Sequence, residues 1–302
     1  MPLSATHRAI IVGVDGSPVS KLAVDWAARN AAMRNTALTV VHIQESPLLA
    51  NGTADPMLAP VPMLPAHLEL LENHGREILD DALKTVEAST KQSGPINVNT
   101  ESMTGSPVSI LVDLSKNAEM VVVGGRSLGR LDRLLLGSVT TGLVHHAHCP
   151  VAIIHDKEPP IQLHPSKGPV VVGIDGSPAS ELATEIAFDE ASRRGVELIA
   201  LHACSDTALQ FGDLDWSAVK SQRAELLSER LAGWQERYPD VLVSRIVAFN
   251  RPARELIEQS ESAQLVVVGS HGRGGFARMV LGSVSTAVAQ SAQAPVIVAR
   301  RP

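Results

Sequence analysis

Between Leu265 and Ser285 the chain reads LVVVGSHGRGGFARMVLGSVS, and its glycine spacing is what could do chemistry. The apolar run Leu265 to Val268 suits a strand buried on both faces. Glycines follow at Gly269, Gly272, Gly274 and Gly275, and Gly282-Ser283 opens a second apolar run that ends before Pro295. Strand, glycine-rich loop and helix start are the parts of an anion cradle. Glycine reaches positive φ and lets a ligand approach the backbone, while the free amides of a helix start, with Ser283 as the expected cap, attract negative charge.

The same pattern stands earlier as MVVVGGRSLGRLDRLLLGSVTTG, from Met120 to Gly142. Gly124 matches Gly269 and Gly137 matches Gly282, so Gly137-Ser138-Val139-Thr140 corresponds to Gly282-Ser283-Val284-Ser285. Where the later copy has Gly272, the earlier has Ser127. No Gly-Lys-Ser/Thr tripeptide of a Walker loop occurs in either copy. The cations available to a phosphate are Arg126, Arg130 and Arg133 in the first loop and Arg273 and Arg278 in the second. Arg130 and Arg273 are nearest the glycines and suit bidentate pairing with phosphate oxygens.

Two acids occupy matching places, Asp15 in IIVGVD and Asp175 in VVVGID, two residues beyond Gly13 and Gly173. Each could hold ribose hydroxyls or a phosphate-bound magnesium ion, or could cap the next helix. His42 and His202 fall inside apolar strands, where a hydrogen-bonded structural histidine is expected. His145, His146, His148 and Cys149 resemble a metal cluster, but the matching residues are Gln290, Ser291, Gln293 and Ala294, and consecutive residues at a helix end diverge in direction. They are expected to be a polar helix end. No Ser-His-Asp order, carboxylate pair or activated cysteine stands out, so the glycine loops suggest holding a nucleotide more than turning it over.

The elements that must position these residues follow from periodicity. In the first half, strands are expected at Ala9–Asp15, Ala37–Ile43, Ile96–Met103, Met120–Gly124 and Val151–Ile154, with helices from Pro18 to about Asn35, His67 to Lys91, Pro107 to Lys116 and Ser138 to about His146. Residues 46–65, rich in Pro and Ala, read as a long excursion. The second half repeats the order, with strands at Val170–Asp175, Val196–Ala203, Val241–Phe249, Leu265–Val268 and Val296–Ala299. Its helices are expected at Ser177–Arg194, Ala218–Tyr238 and Pro252–Ser262, and from Ser283. The expected domains are 1–157 and 168–302, joined by the proline-bearing linker 158–167. Strands alternating with helices imply α/β domains with parallel sheets, right-handed crossovers and helices on both faces. Ligands in such folds lie beyond the carboxyl ends of the strands, where Asp15, Asp175 and both glycine loops fall.

Composition narrows the classes. With 44% hydrophobic and 3% aromatic residues, the cores are aliphatic and offer few base-stacking platforms. A net charge of −6 without a Lys/Arg run argues against a nucleic-acid partner. No apolar stretch reaches membrane-spanning length, and a cytoplasmic protein with Cys149 and Cys204 reduced is expected.

Together these residues resemble the universal stress protein family in its tandem two-domain, ATP-binding form. The family's signature is Gly, two residues, Gly, nine residues, then Gly-Ser or Gly-Thr, and Gly269, Gly272 and Gly282-Ser283 fit it. The resemblance implies two Rossmann-like domains of the universal stress protein/adenine nucleotide alpha hydrolase-like type, each a five-stranded parallel sheet. It implies ATP, with magnesium through Asp15 or Asp175, as the ligand. The strand-one acid and the residue after the strand-two histidine would hold the nucleoside: Asp175 and Ala203 in one half, Asp15 and Ile43 in the other. The phosphates would be wrapped by Gly269, His271, Gly272, Arg273, Gly274 and Gly282 to Ser285, and by Gly124, Arg126, Ser127, Gly129, Arg130 and Gly137 to Thr140. It further implies a homodimer through last strands, between repeats or between chains, and a nucleotide-responsive role in stress with an unidentified protein partner. The first half departs from the signature at Ser127. A serine forced into a glycine-only conformation would cost about 1–2 kcal/mol. A slow ATPase and an interaction module with empty sites are the rival readings.

Overall fold

The computed structural model describes residues 9–45, 65–125, 136–155, 168–204, 216–249, 251–272 and 281–300. The chain forms two compact units. The first contains β1 (Ile10–Val14), α1 (Pro18–Arg34), β2 (Leu38–Gln44), α2 (Pro65–Thr90), β3 (Val98–Thr104), α3 (Pro107–Ser115), β4 (Met120–Gly124) and α4 (Ser138–His146). The second contains β5 (Val151–Ile154), β6 (Val170–Gly173), α5 (Pro178–Arg194), β7 (Leu198–Cys204), α6 (Trp216–Arg237), β8 (Val243–Phe249), α7 (Pro252–Gln259), β9 (Leu265–Gly269), α8 (Ser283–Ser291) and β10 (Val296–Ala299).

In the first unit the strand order is β3-β2-β1-β4, all parallel. Ile10, Val12, Val121 and Val122 are fully buried, as a sheet covered on both faces requires. Helix α1 packs on α2, and α3 on α4. Gly142 of α4 admits Val108 of α3: a Cβ there would stand 2.4 Å from a Val108 methyl. The edge strand β3 is largely exposed, which is why VNTESMT carries little apolar signal.

In the second unit β10-β9-β6-β7-β8 are parallel, and β5 runs antiparallel to β10 with Ala152 opposite Ile297. The last strand of the first repeat is therefore counted with the second repeat's unit, and the last strands of the two repeats pair within the chain. Phe188 of α5 stacks on Trp234 and Tyr238, with ring centroids 6.1 and 5.7 Å away.

The helix caps show how local sequence sets the entry to each site. Ser17 and Ser177 are the N-caps of α1 and α5, each accepting from the amide three residues on at 3.2 Å, with proline at the first helical position. Asn35 ends α1 in the left-handed region at φ 50°, and Gly195 does so for α5.

Both first helices carry a buried arginine arrangement with its acid in different places. Arg34 donates to Asn30 on α1 and to Glu119 before β4, both at 2.8 Å. Arg194 instead pairs with Glu190 on its own helix, 2.8 Å away and fully buried, and donates to Gln264 at 3.1 Å. A carboxylate meets the arginine in each unit, from the strand approach in the first and from the helix in the second.

Candidate functional site

The site in the second unit starts where β6 ends. Asp175 Oδ1 accepts the Ser177 amide at 2.9 Å, so the carboxylate braces the turn while Ser177, not Asp175, caps the helix. The Ser177 hydroxyl donates to the His271 carbonyl at 3.2 Å, tying this turn to the glycine loop. The tie from Ser177 to the glycine loop was not read from the sequence; a serine two residues beyond each strand-one acid was its only trace.

Gly272 closes the constellation. A Cβ on it would stand 2.6 Å from Asp175 Oδ2, so no side chain fits between the loop backbone and the carboxylate. Gly272 is not among the positive-φ glycines. The glycine requirement here is one of close approach rather than of backbone conformation. Gly282 lies on the other side of the loop, its absent Cβ 3.3 Å from the His271 Cα, and its amide donates to the Ser270 carbonyl at 2.9 Å. Asp175, the loop at His271-Gly272 and the start of α8 thus meet in one place.

That start carries a further correction. Gly282, at φ −62°, is the N-cap of α8, Ser283 is its first helical residue, and no side chain caps the helix. Gly137 and Ser138 repeat this in α4. An α-helix leaves its first amides without intrahelical acceptors, so the region of Ser283 to Ser285 presents donors and the positive end of the helix dipole. Ser285 sends its hydroxyl to the Gly269 carbonyl at 2.5 Å, and Thr140 sends its own to Gly124 at 3.3 Å. These hydroxyls brace the helix start over the strand end. Val139 and Val284 are half-buried beside them.

Other expected site residues serve the scaffold. A Cβ on Gly269 would lie 2.8 Å from the Ala179 backbone, and one on Gly124 2.9 Å from a Val19 methyl, so these glycines let the first helix of each unit approach the strand. Gly13 and Gly173 face leucines of α3 and α7. His42 Nδ1 bonds the Val14 carbonyl at 3.0 Å and His202 Nδ1 the Ile174 carbonyl at 2.7 Å. Each histidine holds the carbonyl immediately before the acid, one residue ahead of Ile43 or Ala203 in its own strand.

In the first unit Asp15 Oδ1 accepts both the Ser17 amide at 3.0 Å and its hydroxyl at 2.6 Å. Burial alone would raise the Asp15 pKa, but the Ser17 hydroxyl and amide outweigh it and hold the carboxyl below its ordinary 3.8, so the group is ionised at neutral pH. Arg126, Ser127, Gly129, Arg130 and Arg133 lie outside the described residues, as do Arg273, Gly274, Gly275 and Arg278. Among the described residues no group of three His, Cys, Asp or Glu could hold a metal ion, and no helix is long and apolar enough to cross a membrane.

A parallel α/β unit with a strand, a glycine loop and an uncapped helix start opposite a strand-one acid, written twice in one chain, defines the class. The chain belongs to the universal stress protein family, whose sequence profile matches residues 6–155 and 168–300. A universal stress protein of Mycobacterium tuberculosis is 53% identical over 292 residues, 96% of each chain. One of Mycolicibacterium smegmatis is 48% identical over 305 residues, 99% of each. The crystal structure of a universal stress protein from Archaeoglobus fulgidus shares the fold, with TM-score 0.72 at 21% identity over 97% of this chain and 98% of the other.

Proposed function

We propose that this protein binds an adenine nucleotide, ATP, in each half, and acts as a cytoplasmic, nucleotide-responsive regulator in stress physiology. The observation that carries the proposal is the contact of Gly272 with the Asp175 carboxylate beside the uncapped start of α8. An acid that can take two ribose hydroxyls and a set of main-chain donors for a polyphosphate lie within one nucleotide of each other. The charge on Asp15 or Asp175 also suits a magnesium ion shared with phosphate, because magnesium is commonly held by one carboxylate plus phosphate oxygens.

The two halves correspond to residues 1–157 and 168–302, and the chain assembles as a homodimer whose exposed surface a protein partner reads. Nucleotide binding biases a surface of the protein, and the bound state is the one recognised. The donors offered to the ligand are main-chain amides, which suits a site that holds its ligand more than one that hydrolyses it.

The test is to denature freshly purified protein, identify the released small molecule and measure its ratio to chain, with ATP titration calorimetry on the wild type and on Gly282→Val. One or two equivalents of adenine nucleotide, and loss of second-half binding in the variant, are expected. Protein that takes up no adenine nucleotide, as purified or by titration, refutes the proposal.

A further inference from the structure

Beside the strand-one turn the two units differ in charge. Gly16 and Gly176 share φ 81° and directly follow the two acids. Over Gly16 lies Ile78, with a methylene carbon 3.1 Å from where a Cβ would stand. Over Gly176 lies the Arg230 guanidinium, its Cζ 2.5 Å from the corresponding point. Only a residue without a side chain lets this cation rest on the backbone next to Asp175.

The grooves around these contacts differ in the same sense. In the first unit a groove of about 180 Å³ between α1 and α2 is lined by Ile78, Lys21, His74, Glu77 and Asp81 among others, and Lys21 pairs with Asp81 at 3.1 Å. In the second unit a smaller groove of about 40 Å³ is lined by His202, Leu226, Leu227, Arg223 and Arg230. Two arginines, seven residues and so two helical turns apart, line this groove, and one of them takes the place over the turn glycine that Ile78 has in the first unit. Arg230 approaches Glu181 at 3.5 Å with 41% of its side chain exposed, a pair too open to consume its charge.

We propose that the second half is a site for adenine nucleotides bearing a further phosphate on the ribose 2′ or 3′ oxygen, recognised by Arg230 with Arg223, and that the first half is not. This rests on the nucleotide reading above, in which Asp175 holds the ribose. A cation laid beside the ribose-binding acid then stands where a ribose phosphate would emerge. In dinucleotide-binding folds an arginine near that acid accommodates a 2′-phosphate for the same electrostatic reason. The planar guanidinium, lying flat on Gly176, keeps N–H groups at its edge for a phosphate fork.

The test uses the full chain carrying Gly137→Trp, which occupies the first helix start and removes that half from the measurement. ADP, adenosine 2′,5′-bisphosphate and adenosine 3′,5′-bisphosphate are titrated by calorimetry; each carries two phosphates, so only their placement differs. One bisphosphate is expected to bind about tenfold tighter than ADP, and its identity assigns the 2′ or 3′ position. Arg230→Leu should collapse that ratio to about one, and because the side chain is exposed its thermal midpoint should match the parent. ADP binding as tightly as both bisphosphates overturns the proposal. So does a variant that weakens all three ligands equally, which would make Arg230 a contact for 5′-phosphates. Failure of every adenine nucleotide, ATP included, would instead remove the nucleotide reading and this proposal with it.

Discussion

Replacing Gly272 with alanine adds one methyl group at the point where the glycine loop meets Asp175. The new carbon would stand 2.6 Å from Asp175 Oδ2, well inside contact distance, and the loop is exposed here, so the carboxylate yields rather than the fold. If Asp175 stays in place it is forced off its rotamer, at about 0.5–1.5 kcal/mol. If it swings away it loses a charge-assisted hydrogen bond to the ligand, about 1.5–3 kcal/mol. The first route weakens second-half nucleotide affinity by about two- to tenfold and the second by about ten- to 150-fold. The assay is titration calorimetry on wild type, Gly272→Ala, Asp175→Ala and the double variant. Because both substitutions act through one carboxylate, Gly272→Ala should cost little once Asp175 is gone, giving a coupling energy of about 1 kcal/mol or more. Unchanged affinity in Gly272→Ala, or strictly additive losses, would refute the argument that glycine is required here for the acid's sake.

Three further outcomes follow from other contacts. Gly269→Val should lower stability by about 1–3 kcal/mol, because Ala179 backbone atoms occupy its side-chain space, whereas Gly282→Val should leave the melting temperature close to wild type and affect binding. The hydrogen bonds that depress the Asp15 pKa stabilise the fold fully above its unfolded value of about 3.8 and lose that effect as pH falls through the lower folded value, so the melting difference between wild type and Asp15→Asn should be constant near neutrality and vanish in acid. Glu190→Ala should cost about 3–5 kcal/mol by stranding Arg194, and adding Gln264→Glu to Glu190→Asn should restore most of the stability by copying the Asn30–Arg34–Glu119 arrangement, as read by denaturant unfolding.

The sequence determined the strands, the helices and their order, since buried parallel strands read as Val/Ile runs and helices as a 3.6-residue period. It reached Val151–Ile154, Val296–Ala299 and Ser138–His146 to the residue. It also located the two glycine loops and the two acids, because backbone requirements leave glycine and aspartate in the sequence itself. What only the tertiary structure decided was which of these act on one another. Gly269 serves the packing of α5 while Gly272 serves Asp175, a difference of through-space neighbour that identical residue types cannot carry. Gly282, not Ser283, caps α8, because the cap depends on where the loop delivers the chain. β5 pairs with β10, a partner more than 140 residues away, and Arg230 lies over Gly176 from a helix 54 residues later; a local pattern specifies an element's type, and only packing specifies its partner.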